Sequence, residues 1–142
     1  MDSLEAYIGC IREVVPSLAI ESARLHTTDG QFTDIVFVND ALVFRFPRFA
    51  SVAATLASET AALRALQGRL SLPIPDPLYA VIDDVPGRAF MSYRLLTGSP
   101  LSREAFDAIP DGPARNFLAA QLGGFLRGLH ALEPGSLAMS LP

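Results

Sequence analysis

Lysine is missing altogether: all eleven basic residues of the 142-residue chain are arginine. They are scattered rather than clustered, and fifteen acidic residues outnumber them, leaving a net charge of −4. A nucleic-acid-binding surface needs a basic patch or stripe, so nucleic acid is not an expected partner. The lysine deficit, with its abundant alanine, leucine and proline, reads as a coding bias. Cysteine is nearly absent too. The lone Cys10 excludes an internal disulfide and a cysteine-based zinc centre. Its place in an apolar-patterned stretch marks it as a small buried hydrophobe. The two histidines, His26 and His130, are far apart and have no carboxylate at ligand spacing, so no metal site is expected. Ser3, Ser17, Ser51 and Ser92 all lack a Gly-x-Ser-x-Gly setting. The first residues, Met1-Asp2-Ser3-Leu4-Glu5, carry no secretion-signal pattern. There is no uncharged apolar run of about 20 residues, the length a membrane span requires. No membrane partner and a cytoplasmic location are therefore expected.

What is present is apolar. Half of the residues are hydrophobic and the mean hydropathy is +0.32, enough for a packed core in one domain's length of chain. Ser3 is a candidate N-cap, and Leu4, Tyr7, Ile8, Ile11, Val14 and Val15 follow at helical spacing until Pro16 stops them. Residues 18–26 are expected to supply a strand. Ile35-Val36-Phe37-Val38 and Leu42-Val43-Phe44-Arg45-Phe46 flank Asn39-Asp40 and predict a hairpin. A helix is predicted over 50–66, closed by Gly68. A proline-rich connector, Leu72-Pro73-Ile74-Pro75-Asp76-Pro77, follows. Residues 78–82 and 89–96 predict two more strands around the turn Asp83-Asp84-Val85-Pro86-Gly87. After Gly98 and Pro100 the chain turns helical, with a short piece near 103–107 and a long helix over 113–132. The order is an antiparallel α+β unit followed by the start of a helical one.

Two residues break their local patterns. Glu59 sits within the apolar stripe of Val52, Leu56, Leu63 and Leu66. Arg45 interrupts an apolar strand just before that helix. A buried carboxylate needs a charged or hydrogen-bonding partner, so a common cause is expected: the two residues pair. The alternative is that both lie at a core edge and reach outward to water.

A strand cation held by a helix glutamate is a device of kinases, where the cation grips nucleotide phosphates. The segments Val43-Phe44-Arg45-Phe46-Pro47-Arg48, the run from Gly30 to Asp40, the connector 72–77, Tyr93 to Leu101 and Gln121 to His130 resemble, in order and spacing, the aminoglycoside phosphotransferase family. The resemblance covers nearly the whole chain. It implies a protein-kinase-like N-terminal lobe over 1–97, an antiparallel sheet of about five strands plus a helix. Residues 98–142 would be the hinge exit and the first helices of a C-terminal lobe. It implies ATP or GTP with Mg2+ as cofactor. Arg45 would contact phosphates, Glu59 would orient it and Val43 would line the base pocket. Tyr93 would stand at the back of that pocket, and Arg94, Leu95 and Leu96 would offer backbone groups to the base edge. Gly30, Phe32 and Thr33 would belong to the loop over the phosphates.

The chain departs from the family's pattern in three ways. Arg45 stands where kinases carry lysine; arginine keeps the charge and offers a planar fork to phosphate oxygens. The phosphate loop keeps one glycine, Gly30, of the kinase three. The family's His-x-Asp motif and its downstream metal-binding aspartate are missing, for His26 precedes Thr27-Thr28 and His130 precedes Ala131-Leu132. The expectation is a truncated, inactive nucleotide-binding lobe of a small-molecule phosphotransferase. Its partners would be nucleotide and either the missing C-terminal lobe or a second copy, through helix 113–132. Two other readings stay open. One is a non-catalytic kinase-like binding or regulatory module acting through that helix; the other is an unrelated α+β domain with a purely structural Arg–Glu pair.

Overall fold

Ser3 caps the first helix: its hydroxyl accepts from the Ala6 amide at 3.3 Å, and α1 runs Leu4–Val14. The computed structural model describes residues 3–27, 32–110, 112–133 and 135. Tyr7 and Ile11 are the buried positions of α1, one helical turn apart as an amphipathic stripe requires.

Three strands follow, β1 Ala23–His26, β2 Thr33–Val38 and β3 Leu42–Pro47. The strand expected over 18–26 occupies only its last four residues. The preceding backbone is claimed by a side chain instead. Asn39 Oδ1 accepts from the Glu21 and Ser22 amides at 2.9 and 3.1 Å, and its Nδ2 donates to the Ala19 carbonyl at 2.7 Å. Asn39 and Asp40 both have positive φ, 54° and 47°, as the tight hairpin between β2 and β3 demands.

The helix expected over 50–66 is two helices, α2 Ala50–Ala53 and α3 Leu56–Leu66. At the break the Thr55 hydroxyl donates to the Val52 carbonyl at 2.9 Å, the local competition by which threonine disturbs a helical ladder. The buried stripe shifts accordingly: Ala53, Leu56 and Thr60 face the sheet, while Val52 is only half-buried.

Strands β4 Pro77–Val81 and β5 Phe90–Arg94 complete an antiparallel sheet in the order β1-β2-β3-β5-β4. The final strand is shorter than the expected 89–96, since Leu95 and Leu96 leave the sheet. The chain reverses at Asn39-Asp40, then inserts β5 between β3 and β4, so the most apolar strands are central and buried.

Alternation of side chains gives the sheet two faces. On one, Val36, Val38, Phe44, Phe46 and Phe90 form the main core with Tyr7 and Ile11 of α1. Tyr7 stacks on Phe46 with ring centroids 4.3 Å apart. On the other, Ala53 and Leu56 pack on Ala89 and Met91. Helices α4 Arg103–Asp107 and α5 Pro113–His130 follow the sheet. Pro113 occupies the first turn, where its missing amide costs nothing. Arg115 of α5 donates to the Asp107 and Ile109 carbonyls at 3.4 and 3.1 Å, which ties the two helices together. No residue of α5 is buried.

Candidate functional site

The register across the second face sets out two parallel rows. Arg24 lies opposite Phe37, Phe37 opposite Val43 and Val43 opposite Tyr93. The next row runs His26, Ile35, Arg45, Met91. Residues two apart on a strand share a face and lie about 7 Å from each other. Val43 and Arg45 are thus successive positions on one surface, with Tyr93 beside the first.

Arg45 and Glu59 do come together. The Arg45 guanidinium donates to Glu59 Oε1 from β3 to the facing side of α3. The pair is not buried in the centre of an apolar stripe, as the sequence suggested. Its side chains are 27% and 36% exposed. The shift of the buried stripe to Ala53 of α2 and to Leu56 and Thr60 of α3 leaves Glu59 at the edge, where water relieves part of the desolvation cost that a fully buried ion pair bears. Both the pairing and the core-edge placement are therefore realised.

Tyr93 adjoins this pair. Burial raises its phenol above the ordinary tyrosine range, the nearby Arg45 charge pulls it down and the Glu59 charge pushes it up. The three side chains share one electrostatic neighbourhood.

Beyond the first row the surface opens into a cleft of about 750 Å³, lined by Arg24, Phe37 and Asp40 on one side and by residues 95–100 on the other. The Arg24 guanidinium lies 3.7 Å from the centroid of the Phe37 ring, with its Nε 3.5 Å from Asp40. Leu95 and Leu96 line this cleft and are exposed, and Arg94 is exposed at the end of β5. The Leu95 amide donates to the Ala41 carbonyl at 2.8 Å, so that group is engaged within the fold. Phe32 and Thr33 lie at the opposite end of the sheet from the cleft, beyond the Arg45 row, and Phe32 is 66% exposed. Gly30 lies outside the described residues.

Sequence reading missed Asp34. It is buried at the start of β2 and accepts from the Tyr7 hydroxyl at 2.6 Å and the Thr27 hydroxyl at 2.9 Å. The Arg48 guanidinium stands 3.8 Å away. The signal was available, because Asp34, Val36 and Val38 share parity and Asp34 therefore points toward the apolar core.

Residues 25–140 fit the model described as the phosphotransferase enzyme family. The chain belongs to that family. Among solved structures, it is similar to a wild-type aminoglycoside 2'-phosphotransferase-IIIa in complex with GDP. The identity is 28%, the coverage 98% of this chain and 46% of that one, and the TM-score 0.85. It is also similar to APH(2")-IIIa with GDP and kanamycin, at 28% identity over 94% of this chain and 44% of that one, TM-score 0.82. A macrolide 2'-phosphotransferase from Brachybacterium faecium, at 24% identity over 96% of this chain and 46% of that one, TM-score 0.71, shares the fold. No curated protein matches the chain. This phosphotransferase-family chain spans less than half the length of each of those solved relatives.

Among the described residues no three His, Cys, Asp or Glu side chains gather to hold a metal ion. No described helix is long and apolar enough to cross a membrane.

Proposed function

We propose that this chain is the nucleotide-binding lobe of a small-molecule phosphotransferase, which in a longer polypeptide presents ATP or GTP, as its magnesium complex, to a substrate hydroxyl. One observation carries the reading: a cation fixed by a carboxylate, Arg45–Glu59, sits one row along the same face from a cleft at the sheet's end. A nucleotide needs both features. Its base requires an apolar slot, for which Val43, Tyr93 and the backbone of Arg94 to Leu96, apart from the engaged Leu95 amide, are available. Its phosphates require fixed positive charge, which the Arg45 fork supplies. Glu59 holds that fork in place and so spares the nucleotide the cost of ordering it. Phe32 and Thr33 stand on the phosphate side, past the Arg45 row; Gly30, the other residue expected there, lies outside the described residues. Residues 1–97 form the lobe and 98–142 the start of a helical second lobe.

Transfer itself needs an aspartate to engage the acceptor hydroxyl and side chains to hold metal. The His-x-Asp motif that would carry them is not in the 142 residues, so the chain alone binds nucleotide without transferring phosphate. The GDP named with two of the solved relatives is consistent with a nucleotide site.

Calorimetric titration with ATP and with GTP, each with magnesium, tests it, with Arg45→Ala as the control. Binding that the substitution weakens about tenfold or more, the loss of a charge-assisted contact, supports the reading. Absence of binding up to millimolar nucleotide overturns it. That result would favour a non-catalytic binding module acting through α5, none of whose residues is buried.

A further inference from the structure

Arg24 lines the cleft, and none of the contacts proposed above for the nucleotide uses it. The register sets it opposite Phe37, in the row that continues through Val43 to Tyr93. An arginine on an edge strand ordinarily carries its charged head out into water. This one folds over its neighbour instead. The guanidinium carbon lies 3.7 Å from the centroid of the Phe37 ring and over its face, the arrangement in which a cation is attracted to an aromatic quadrupole. Asp40, in the turn between β2 and β3, stands 3.5 Å from its Nε. Two holds thus fix the guanidinium, a ring against one face and a carboxylate at its Nε edge.

A guanidinium is planar and has two faces. Phe37 covers one. The side chain is still 57% exposed, and Arg24, Phe37 and Asp40 together line the cleft across from residues 95–100, so the uncovered face borders the cleft. Nucleobases stack on arginine planes as they do on aromatic rings. Position separates Arg24 from the phosphate-binding charge. It lies two strands over and one row along from Arg45, about 12 Å away at strand spacings of about 4.8 Å and same-face spacings of about 7 Å. Asp40 lies past the Val38–Leu42 pairing, on the side away from Arg45. The hold on Nε therefore draws the guanidinium toward the cleft end of the sheet.

We propose that Arg24 is a binding residue for the nucleobase: its guanidinium, held by Phe37 and Asp40, is the platform on which a purine stacks in the cleft. The proposal rests on the nucleotide reading given above. It also sets a preference among bases. The fused rings of a purine cover more of a guanidinium plane than the single ring of a pyrimidine, so the platform favours purine nucleotides and leaves the phosphate contacts unchanged. Because Phe37 and Asp40 already hold the plane, the ligand does not bear the cost of ordering a long side chain.

The full 142-residue chain, as wild type, Arg24→Ala, Arg24→Lys and Phe37→Leu, would be titrated by calorimetry with ATP, GTP, CTP and inorganic tripolyphosphate, each with magnesium. Arg24 is exposed, so its two variants should keep the wild-type melting temperature. Arg24→Ala is expected to weaken the better-bound purine triphosphate about tenfold, the weight of one stacked base, and to narrow its margin over CTP. Tripolyphosphate binding should not change. Arg24→Lys keeps the charge and loses the plane, so it should behave as the alanine variant does. Phe37→Leu removes the ring behind the guanidinium and should show the same split to a smaller degree. Full rescue by lysine, or equal weakening of ATP, GTP and tripolyphosphate, would make Arg24 a plain charge and overturn the platform. Unchanged purine binding in Arg24→Ala would overturn it too, as would tighter binding, which would mean that the base displaces the arginine and stacks on Phe37. In each of those cases the nucleotide site stands. A wild-type chain that binds no nucleotide overturns the nucleotide reading, and the platform with it.

Discussion

Arg45 and Glu59 pair across the gap between β3 and α3 at the edge of the core, with roughly a third of each side chain open to water. Two interior positions filled by apolar residues would have packed as well. A charged pair left partly exposed contributes little to folding, since an exposed or partly exposed ion pair is worth about 0–1 kcal/mol.

That weakness gives the first prediction. The double substitution Arg45→Met with Glu59→Leu should change unfolding free energy by less than about 1 kcal/mol, as read by urea denaturation. Nucleotide binding should fall about tenfold or more, because phosphate loses its charged donor. Intact binding in the double variant would make the pair structural.

Tyr93 provides a pH signature. Its phenol ionises above the ordinary tyrosine range because burial disfavours the phenolate and Glu59 repels it, against the pull of Arg45. A raised value means that the folded chain keeps a proton which the unfolded chain loses near pH 10. The resulting stability is fully present below about pH 10 and declines as pH rises from there through the folded-state value. Tyr93→Phe should flatten this alkaline loss in denaturation curves measured between neutral and strongly alkaline pH. A wild-type curve already flat there would refute it.

Asn39 combines a positive φ of 54° with three side-chain hydrogen bonds to residues 19–22. Asn39→Gly keeps the backbone conformation and loses the bonds, whereas Asn39→Ala loses both. The alanine variant should be less stable than the glycine variant by about 1 kcal/mol, the cost of a left-handed backbone for a residue with a Cβ. Chemical denaturation of the two variants gives the difference directly.

Helix α5 has no buried residue, and Phe117, Leu122 and Leu126 are all exposed. Apolar surface of this kind tends to find a partner. Sedimentation velocity of the 142-residue chain should show association that grows with concentration, and Leu122→Glu with Phe117→Glu should reduce it. A monomer at all concentrations would count against a contact through this helix.

Much of the architecture was legible because it depends on local rules. The Ser3 cap, the Asn39-Asp40 hairpin, Pro113 in a first helical turn and the short helix at Arg103–Asp107 all follow from backbone preferences and side-chain periodicity. The break between α2 and α3 was not legible. A single threonine hydroxyl turned on its own helix decides it, and helical propensity does not register such a choice. Asp34 went unseen because the strand was read from Ile35 onward, which hid its parity with Val36 and Val38.

By itself, the sequence determined the element order, the hairpin at Asn39-Asp40 and the suspicion that Arg45 and Glu59 belong together. Each is carried by neighbours along the chain or by a charge that breaks a pattern. Only the tertiary structure decided that β5 inserts between β3 and β4, that Arg24, Phe37, Val43 and Tyr93 form one row, and that Glu59 stands at the core's edge. Those outcomes depend on which strands pair across long stretches of chain and how far a helix rotates to bury its best face. No local spacing encodes them, because the energy that selects them arises only when the distant surfaces meet.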